Sequence, residues 1–369
     1  MTATDKVPSD DGRKRFRGCL LGGAVGDALG APVEFDSREQ ILRRFGPDGI
    51  TAYAPAYGGI GTITDDTQMT LFTAEGLLRH QVRGSTKGIS SVAGVTANAY
   101  LRWLRTQGAA PSTPVGVGAP FGDGESGWLY QQRELHSNRA PGNTCMSALR
   151  GMRGLGVLAD NDSKGCGGVM RAAPVGLFGA RLPVATLREV FDAGVEVAAL
   201  THGHPTGSLP AGVLAALVYR LVQGASLRDA LPEVKSVLRE HDRHEETLAA
   251  VGAAEAAARG GPSYPAVVSL GEGWVAEEAL AIGLYCALVA ESLTDGVVLA
   301  VNHGGDSDST GSIAGNLLGA ALGVDAIAPE WLEPLELRAV ITEIADDLYD
   351  FPSWSDGDRQ NVWAKYPGY

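Results

Sequence analysis

The chain has 369 residues, a formal net charge of −13 at pH 7 and 44% hydrophobic residues, as in a globular protein. This acidic balance argues against general nucleic-acid binding, which needs a basic surface, but it allows one phosphate-bearing ligand held by backbone amides. The sequence shows no long apolar span and no secretory signal, and its four cysteines form no CxxC pair, so we expect no membrane segment and reduced thiols in the cytoplasm.

The N-terminal part combines a polar start with an apolar helical segment. Residues 1–14 are polar and mixed in charge, which predicts a disordered leader, and residues 15–369 are predicted to form one domain. Apolar residues recur at helical spacing over 16–29. The interior glycines each cost an isolated helix about 1 kcal/mol relative to alanine, so this helix requires tight packing. Asp27 on this segment and Glu34 after it indicate either a surface loop or a functional site.

Two adjacent acids follow a glycine-rich approach. Asp65 and Asp66 are flanked by Thr64 and Thr67 and precede a predicted helix over residues 69–78. A helix N-cap explains one acid. Two adjacent carboxylates repel each other, so the second acid requires water, a proton or a cation.

A long loop separates the next predicted helices. Residues 85–107 are predicted to be helical, and residues 108–143 form the longest segment rich in Gly and Pro. A loop of this length in a compact domain is usually functional or disordered. It ends at Gly142 and Asn143, before a predicted helix over residues 145–157 whose first N–H groups suit a phosphate.

A second glycine-rich loop covers residues 163–171. It lacks the Gly-Lys-Ser/Thr ending of a P-loop, and no strand precedes it as in a dinucleotide fingerprint. The pattern therefore indicates only a close approach to a ligand. His202 and His204 form an HxH pair, but no third ligand lies at zinc spacing, so contact with a ligand or helix capping is favoured over zinc.

The last polar cluster lies within residues 302–316. A glycine pair precedes Asp306 and Asp308, which alternate with Ser307 and Ser309, and a helix is predicted over residues 313–322. One helix cap needs one such residue, whereas hard cations such as Mg²⁺ or Mn²⁺ prefer several oxygen ligands. The spacing alone leaves both interpretations open. Together with the earlier acid pair it favours a shared metal site, provided that the two clusters meet in the fold.

No segment shows convincing period-two alternation, and no fixed-period repeat is present. We count roughly a dozen helical segments joined by glycine-rich loops. The predicted fold class is all-α, a single compact many-helix domain.

These stretches together resemble the ADP-ribosylglycohydrolase family, which includes the dinitrogenase reductase-activating glycohydrolases and the ADP-ribosyl-acceptor hydrolases. The matching stretches follow the family's order: 18–30 with Glu34, 64–67, 142–144, 168–171, 201–202 and 305–309. No single motif is decisive, but the ordered set is specific and spans most of the chain.

The resemblance implies an all-helical fold with a cleft that holds two Mg²⁺ or Mn²⁺ ions. It also implies hydrolysis of the glycosidic bond between ADP-ribose and a protein side chain or small molecule, with ADP-ribose as product. The implied metal ligands are Thr64, Asp65, Asp66, Asp306, Asp308 and Ser309. The implied catalytic residues are Glu34, Asp65 and Asp306. The implied contacts to ADP-ribose are Gly142, Asn143, Ser163, Gly165, Cys166, Gly167, Gly168 and His202.

Fixed carboxylates suit this chemistry because they stabilise an oxocarbenium-like transition state and provide a base for water. Three residues depart from the family's pattern. Ser309 stands where threonine is frequent, Cys166 where asparagine is common, and Ala140 where the nitrogenase-reactivating branch has an aspartate. The acceptor therefore stays open between arginine, serine, an acetyl ester and a nucleoside.

Two other functions remain possible from the residues. Clustered carboxylates equally suit a two-metal phosphoesterase. A non-catalytic ADP-ribose-binding or structural relative is the third possibility, although a pure binder need not retain the full set of acids.

Overall fold

The computed structural model describes residues 10–113, 115, 127–355 and 358–368. In these residues the chain forms seventeen α-helices, and the only β-type pairings are two isolated bridges, so the all-α prediction is confirmed. In chain order the helices are α1 (Asp10–Gly30), α2 (Arg38–Phe45), α3 (Asp65–Lys87), α4 (Val92–Thr106), α5 (Asn143–Arg150), α6 (Ala173–Arg181), α7 (Leu187–Ala199), α8 (Pro205–Val222), α9 (Leu227–Leu238), α10 (Glu245–Ala257), α11 (Tyr264–Ser269), α12 (Ala276–Val289), α13 (Leu293–Val301), α14 (Ser307–Leu322), α15 (Pro329–Leu332), α16 (Arg338–Asp350) and α17 (Arg359–Lys365).

The first helix begins earlier than the sequence predicts. Helix α1 starts at Asp10, so it includes the last five residues of the predicted leader, and residues 1–9 lie outside the described residues. Ion pairs hold this first part of α1 against distant elements: Arg13 contacts Asp350 at 2.6 Å, and Lys14 contacts Asp325 at 2.7 Å. Composition alone does not show such long-range partners.

Two other predicted helices have different bounds. The helix predicted over 85–107 is divided, because α3 runs on to Lys87 and ends at Gly88, whose φ of 71° is left-handed. Helix α4 then starts after Ser91, whose side chain accepts a hydrogen bond from the amide of Gly94. The helix predicted over 145–157 is α5, which is shorter and ends at Arg150.

Helices α1 and α14 pack with their backbones almost in contact. Glycines at every fourth position of α1 face glycines of α14, and the helices run antiparallel: a Cβ on Gly18 would lie 2.4 Å from the carbonyl oxygen of Gly319, and one on Gly26 would lie 2.0 Å from that of Gly311. Only glycine allows this approach. The glycines that weaken α1 as an isolated helix are therefore the residues that let it pack. The packing sets the C-terminal end of α1 beside the N-terminal start of α14.

We expect Gly315→Ala to destabilise the protein. A Cβ at this position would lie 2.0 Å from the carbonyl oxygen of Gly22, so the two helices would have to separate. The expected loss in the free energy of unfolding, measured by urea denaturation, is about 1–3 kcal/mol. Gly252→Ala in α10 is the matched control, because nothing lies within 4 Å of its added Cβ and alanine favours a helix by up to about 1 kcal/mol. Equal effects of the two substitutions would contradict this account.

Helix α8 passes through the middle of the fold. By length and composition it is the one helix of the described residues that could cross a membrane, but 83% of it is buried inside the protein. A helix that is apolar on all sides suits a core position. The buried apolar side chains around it form one cluster that extends from Phe16 to Tyr366.

Candidate functional site

A cavity of about 420 Å³ opens where the turn after α1, the start of α3, the start of α5 and the start of α14 converge. It is lined by Glu34, Phe35, Asp65, Asp66, Ala140, Pro141, Gly142, Asn143, Thr144, Cys145, Gly165, Cys166, Gly167, Met170, His202, Trp274, Asp306, Asp308 and Ser309. The two acid clusters that lie far apart in the sequence thus share one cavity.

At the start of α3, the acids are not the residues that cap the helix. The N-cap residue is Thr64, whose hydroxyl accepts a hydrogen bond from the amide of Asp66 at 3.3 Å. Asp27 of α1 accepts hydrogen bonds from the amides of Thr64, at 3.0 Å, and Thr67, at 3.1 Å. Because Thr64 and Asp27 satisfy these donors, the carboxylates of Asp65 and Asp66 are available to line the cavity. Thr64 itself does not line it.

At the start of α14, capping does not explain the acids either. Asp306 occupies the N-cap position, but its side chain makes no capping hydrogen bond. Its backbone amide donates instead to the carbonyl oxygen of Glu272 at 2.8 Å. Carboxylate oxygens of Asp306, Asp308 and Glu34 all lie within 4.8 Å of one another. The side chain of Asp306 is therefore not used as a helix cap, and these three carboxylates form one close group.

The concentration of acids raises their pKa values. Burial, reinforced by the charges of Asp308 and Asp306, raises the pKa of Glu34 to about 10. Burial also raises the pKa of the other acids around the cavity: Asp27 (to about 7), Asp65, Asp66, Asp306 and Asp308. Each acid disfavours ionisation of its neighbours, so the cluster needs protons or cations to persist.

The residues present fit a hard divalent cation. Glu34 is 7% exposed and Asp66 is 3% exposed, yet Glu34 Oε2 and Asp66 Oδ2 have no hydrogen-bond partner among the described residues. A buried carboxylate oxygen without a partner is costly. Carboxylates and hydroxyls are ligands that Mg²⁺ and Mn²⁺ prefer, and such ions would satisfy these oxygens.

We expect the cation-free protein to lose stability as the pH rises. Groups whose pKa is higher in the folded state bind more protons when folded, so their stabilising effect is complete below the unfolded pKa and disappears as the pH passes the folded one. For Asp27 this interval runs from 3.8 to about 7, and for Glu34 from 4.5 to about 10. Melting temperatures measured in a chelator between about pH 5 and about pH 9 should fall, and saturating Mn²⁺ should flatten the slope. A melting temperature that rises over this range would contradict the assignment.

Six of the eight residues that the resemblance assigns to ADP-ribose line the cavity: Gly142, Asn143, Gly165, Cys166, Gly167 and His202. Ser163 and Gly168 do not. The Ser163 hydroxyl bonds that of Thr144 at 2.9 Å, which joins the glycine loop to α5. Gly168 serves packing, because a Cβ there would lie 2.8 Å from the carbonyl oxygen of Gly207.

His202 is a neutral, buried side chain on the cavity wall. Its Nδ1 lies 2.8 Å from the hydroxyl of Thr201. Burial, reinforced by the charge of Arg171, lowers the pKa of His202 to about 3. It can therefore offer a ligand an uncharged hydrogen-bonding group. A Cβ on Gly167 would lie 2.7 Å from Cys145 Sγ and 3.0 Å from this ring, so a larger residue there would displace its neighbours.

Ala140 lies on the cavity wall in an unusual backbone conformation. Its φ of 52° is in the left-handed region, which disfavours alanine and is better tolerated by aspartate or asparagine. The aspartate of the nitrogenase-reactivating branch would suit this backbone. In this chain the position has this conformation without a carboxylate.

A loop that the sequence does not single out supports both halves of the site. The carbonyl oxygen of Trp274 accepts a hydrogen bond from the amide of Cys166 at 3.2 Å. The carbonyl oxygen of Glu272 accepts one from the amide of Asp306 at 2.8 Å. The Trp274 ring stacks on Phe35 with ring centroids 6.0 Å apart, and both residues line the cavity. The only signal in the sequence is that Trp274 follows two closely spaced glycines, Gly271 and Gly273. Such a pattern is too common to indicate a functional site.

Comparisons with known proteins agree with this arrangement. The family model for ADP-ribosylglycohydrolase matches residues 8–356. The ADP-ribosyl-dinitrogen reductase glycohydrolase of Rhodospirillum rubrum is 28% identical over 335 residues, covering 88% of this chain and 91% of its own. The ADP-ribosylarginine hydrolase Tri1 of Pseudomonas putida (strain GB-1) is 26% identical over 349 residues, covering 91% and 78%.

A solved structure shows the same architecture. An ADP-ribosylglycohydrolase-related protein complex superposes with a TM-score of 0.64 and 26% identity, covering 92% of this chain and 99% of its own. The family match, the relatives and this superposition each extend over most of the chain, as the ordered motifs predict. The chain belongs to the ADP-ribosylglycohydrolase family.

Proposed function

We propose that this protein hydrolyses the glycosidic bond between ADP-ribose and an acceptor, in the presence of Mg²⁺ or Mn²⁺. The observation that carries the proposal is the cavity in which buried carboxylates from the turn after α1, the start of α3 and the start of α14 converge, two of them with oxygens that lack a partner among the described residues. The family membership and the names of the relatives supply the substrate class.

The residues divide into a cation-holding group and a reacting group. Asp65, Asp66, Asp306, Asp308 and Ser309, which line the cavity, would hold the cations, with Thr64 beside them. Bound cations would orient the ribose and water and neutralise the carboxylates.

The partnerless Glu34 Oε2 is suited to take a proton from the attacking water. The negative charge of Glu34 would also stabilise positive charge at the anomeric carbon. This role requires Glu34 to ionise, which the cluster opposes unless its other charges are neutralised.

The other wall of the cavity would hold the diphosphate and the sugar. Gly165 and Gly167 line the cavity without side chains that would block a ligand, and Asn143, the first residue of α5, lines it as well. Because the amide of Gly165 donates to Ser163 Oγ at 3.3 Å, the amides at the start of α5 are the candidates for holding the diphosphate. His202 adds an uncharged partner. All four cysteines are free thiols, so we propose a reducing compartment, the cytoplasm, as the location.

The test is product analysis with defined substrates. Arginine-linked and serine-linked ADP-ribosyl peptides, an acetyl ester of ADP-ribose and a nucleoside-linked form are each incubated with protein in chelator, Mg²⁺ or Mn²⁺. Free ADP-ribose, formed only with cation, is the expected product. Release of AMP or phosphate instead would favour a two-metal phosphoesterase. No product with any substrate, while ADP-ribose still binds, would favour a non-catalytic binder.

A further inference from the structure

Two cysteines, Cys145 and Cys166, line the cavity, but in the described part of the chain only Cys166 hydrogen-bonds an acid of the candidate metal site, whereas Cys145 Sγ contacts Arg171 and the carbonyl oxygen of Gly167. Cys19, Cys145 and Cys286 are buried, whereas Cys166 is partly exposed. Its Sγ donates to Asp306 Oδ2 at 2.8 Å and accepts from Ser309 Oγ at 3.7 Å. The sulfur is thus in direct contact with two of the residues that would hold a cation.

The backbone fixes the sulfur in this place. The amide of Cys166 donates a hydrogen bond to the carbonyl oxygen of Trp274 at 3.2 Å. The carbonyl oxygen of Cys166 accepts hydrogen bonds from the amides of Val169, at 2.9 Å, and Met170, at 3.2 Å. The neighbouring Gly165 pairs with Val275 in an isolated bridge. Because both the amide and the carbonyl group of Cys166 are hydrogen-bonded, its backbone is fixed beside Asp306.

An independent feature of the same cavity points to a cation. Glu34 and Asp66 are more than nine-tenths buried, and each has a carboxylate oxygen without a partner in the described part of the chain. Glu34 forms the close group with Asp306 and Asp308. Asp306 Oδ2 accepts the hydrogen bond from Cys166 Sγ, so a cation bound to this oxygen would lie next to the sulfur.

We propose that Cys166 is a ligand of this site and makes it favour thiophilic divalent cations, of the Zn²⁺ and Cd²⁺ class, over Mg²⁺. A site built of oxygens alone suits Mg²⁺ and Mn²⁺, whereas a thiolate ligand shifts the preference to softer ions. On binding, the S–H bond breaks, a sulfur–metal bond forms, and the proton passes to solvent. Loss of that S–H donor frees Asp306 Oδ2 for the same ion. The inference rests on the cation site of the proposed function.

Cadmium titration tests the proposal directly, because a cadmium–thiolate bond gives an ultraviolet charge-transfer band that carboxylates do not give. The full-length protein is compared with Cys166→Ser, which keeps a small polar group, and with Cys286→Ala, which removes a buried thiol of α12. The expected band is present in the native protein and in Cys286→Ala and absent in Cys166→Ser. Calorimetry should show that Cys166→Ser weakens Cd²⁺ and Zn²⁺ binding by about tenfold or more and leaves Mg²⁺ binding nearly unchanged.

Alkylation gives a second measurement on the native protein. Mass spectrometry should find that iodoacetamide modifies Cys166 first and that Zn²⁺ protects it better than Mg²⁺. A cadmium band that persists in Cys166→Ser, or equal Zn²⁺ affinity in the two proteins, would overturn the inference while leaving the cation site intact. If no divalent cation binds the native protein, both the inference and the cation dependence of the proposed function are wrong. Thermal melting of each variant verifies that it folds.

Discussion

Replacing Asp306 by alanine is expected to abolish cation binding and to lower the rate of ADP-ribose release by on the order of 10³-fold, equivalent to about 4 kcal/mol. The same substitution should raise the melting temperature of the cation-free protein. Burial and the charge of Asp308 raise the pKa of Asp306, so its carboxylate is unfavourable without a cation. Its side chain makes no capping bond that the fold would lose. Activity and stability should therefore change in opposite directions, as is frequent at functional sites.

Three measurements on Asp306→Ala separate this account from a structural one: calorimetric Mn²⁺ titration, initial rates with the substrate that the product analysis identifies, and melting in chelator. Asp325→Ala is the control, because Asp325 is an exposed acid paired with Lys14 on the surface. It should leave Mn²⁺ affinity and the initial rate unchanged and lower the melting temperature only slightly, because an exposed ion pair contributes less than about 1 kcal/mol. If Asp306→Ala kept Mn²⁺ affinity, the assignment of this residue as a ligand would be wrong. A lower melting temperature in chelator would mean that Asp306 stabilises the fold.

The largest effect on stability is expected from Glu75→Ala, away from the cavity. Glu75 of α3 is fully buried and accepts from Arg79 Nη2 at 2.9 Å and from Arg102 Nη2 at 2.8 Å. Burial would raise the pKa of Glu75, but the charges of Arg102 and Arg79 outweigh it and hold the pKa below its usual value. Alanine would leave two buried guanidinium groups without this carboxylate. The expected loss in the free energy of unfolding is about 3–5 kcal/mol.

Urea denaturation of Glu75→Ala beside Glu39→Ala measures this effect. Glu39 and Arg43 also form an ion pair within one helix, but both side chains are more than half exposed, at 82% and 60%. The exposed pair is expected to contribute less than about 1 kcal/mol. If both variants lost similar free energy of unfolding, burial would not be what makes the ion pairs of Glu75 stabilising. Arg79 also donates to Pro367 at 3.4 Å, so increased proteolysis near the C-terminus should accompany the loss of Glu75.

Part of the candidate site could be predicted because its residues are unusual for their local positions. Two adjacent acids at Asp65 and Asp66 exceed what one helix cap uses, and so do Asp306 and Asp308. Their neighbours in sequence are sufficient to show that excess. Asp27 is unusual for a different reason, since it is an acid on an otherwise apolar segment. Its partners are amides 37 and 40 residues further along the chain, so its role in holding the start of α3 is not predictable from its neighbours.

The sequence by itself determined the helical class, the ordered motifs of the family and the residue types of the cavity, because periodicity, glycine content and motif order are properties of neighbouring residues. Only the tertiary structure decided that Glu34, Asp306 and Asp308 form one group and that Cys166 contacts Asp306. These contacts depend on the close packing of α1 on α14 and on the loop that ends at Trp274. Packing between helices far apart in the chain requires complementary surfaces, which no local pattern specifies.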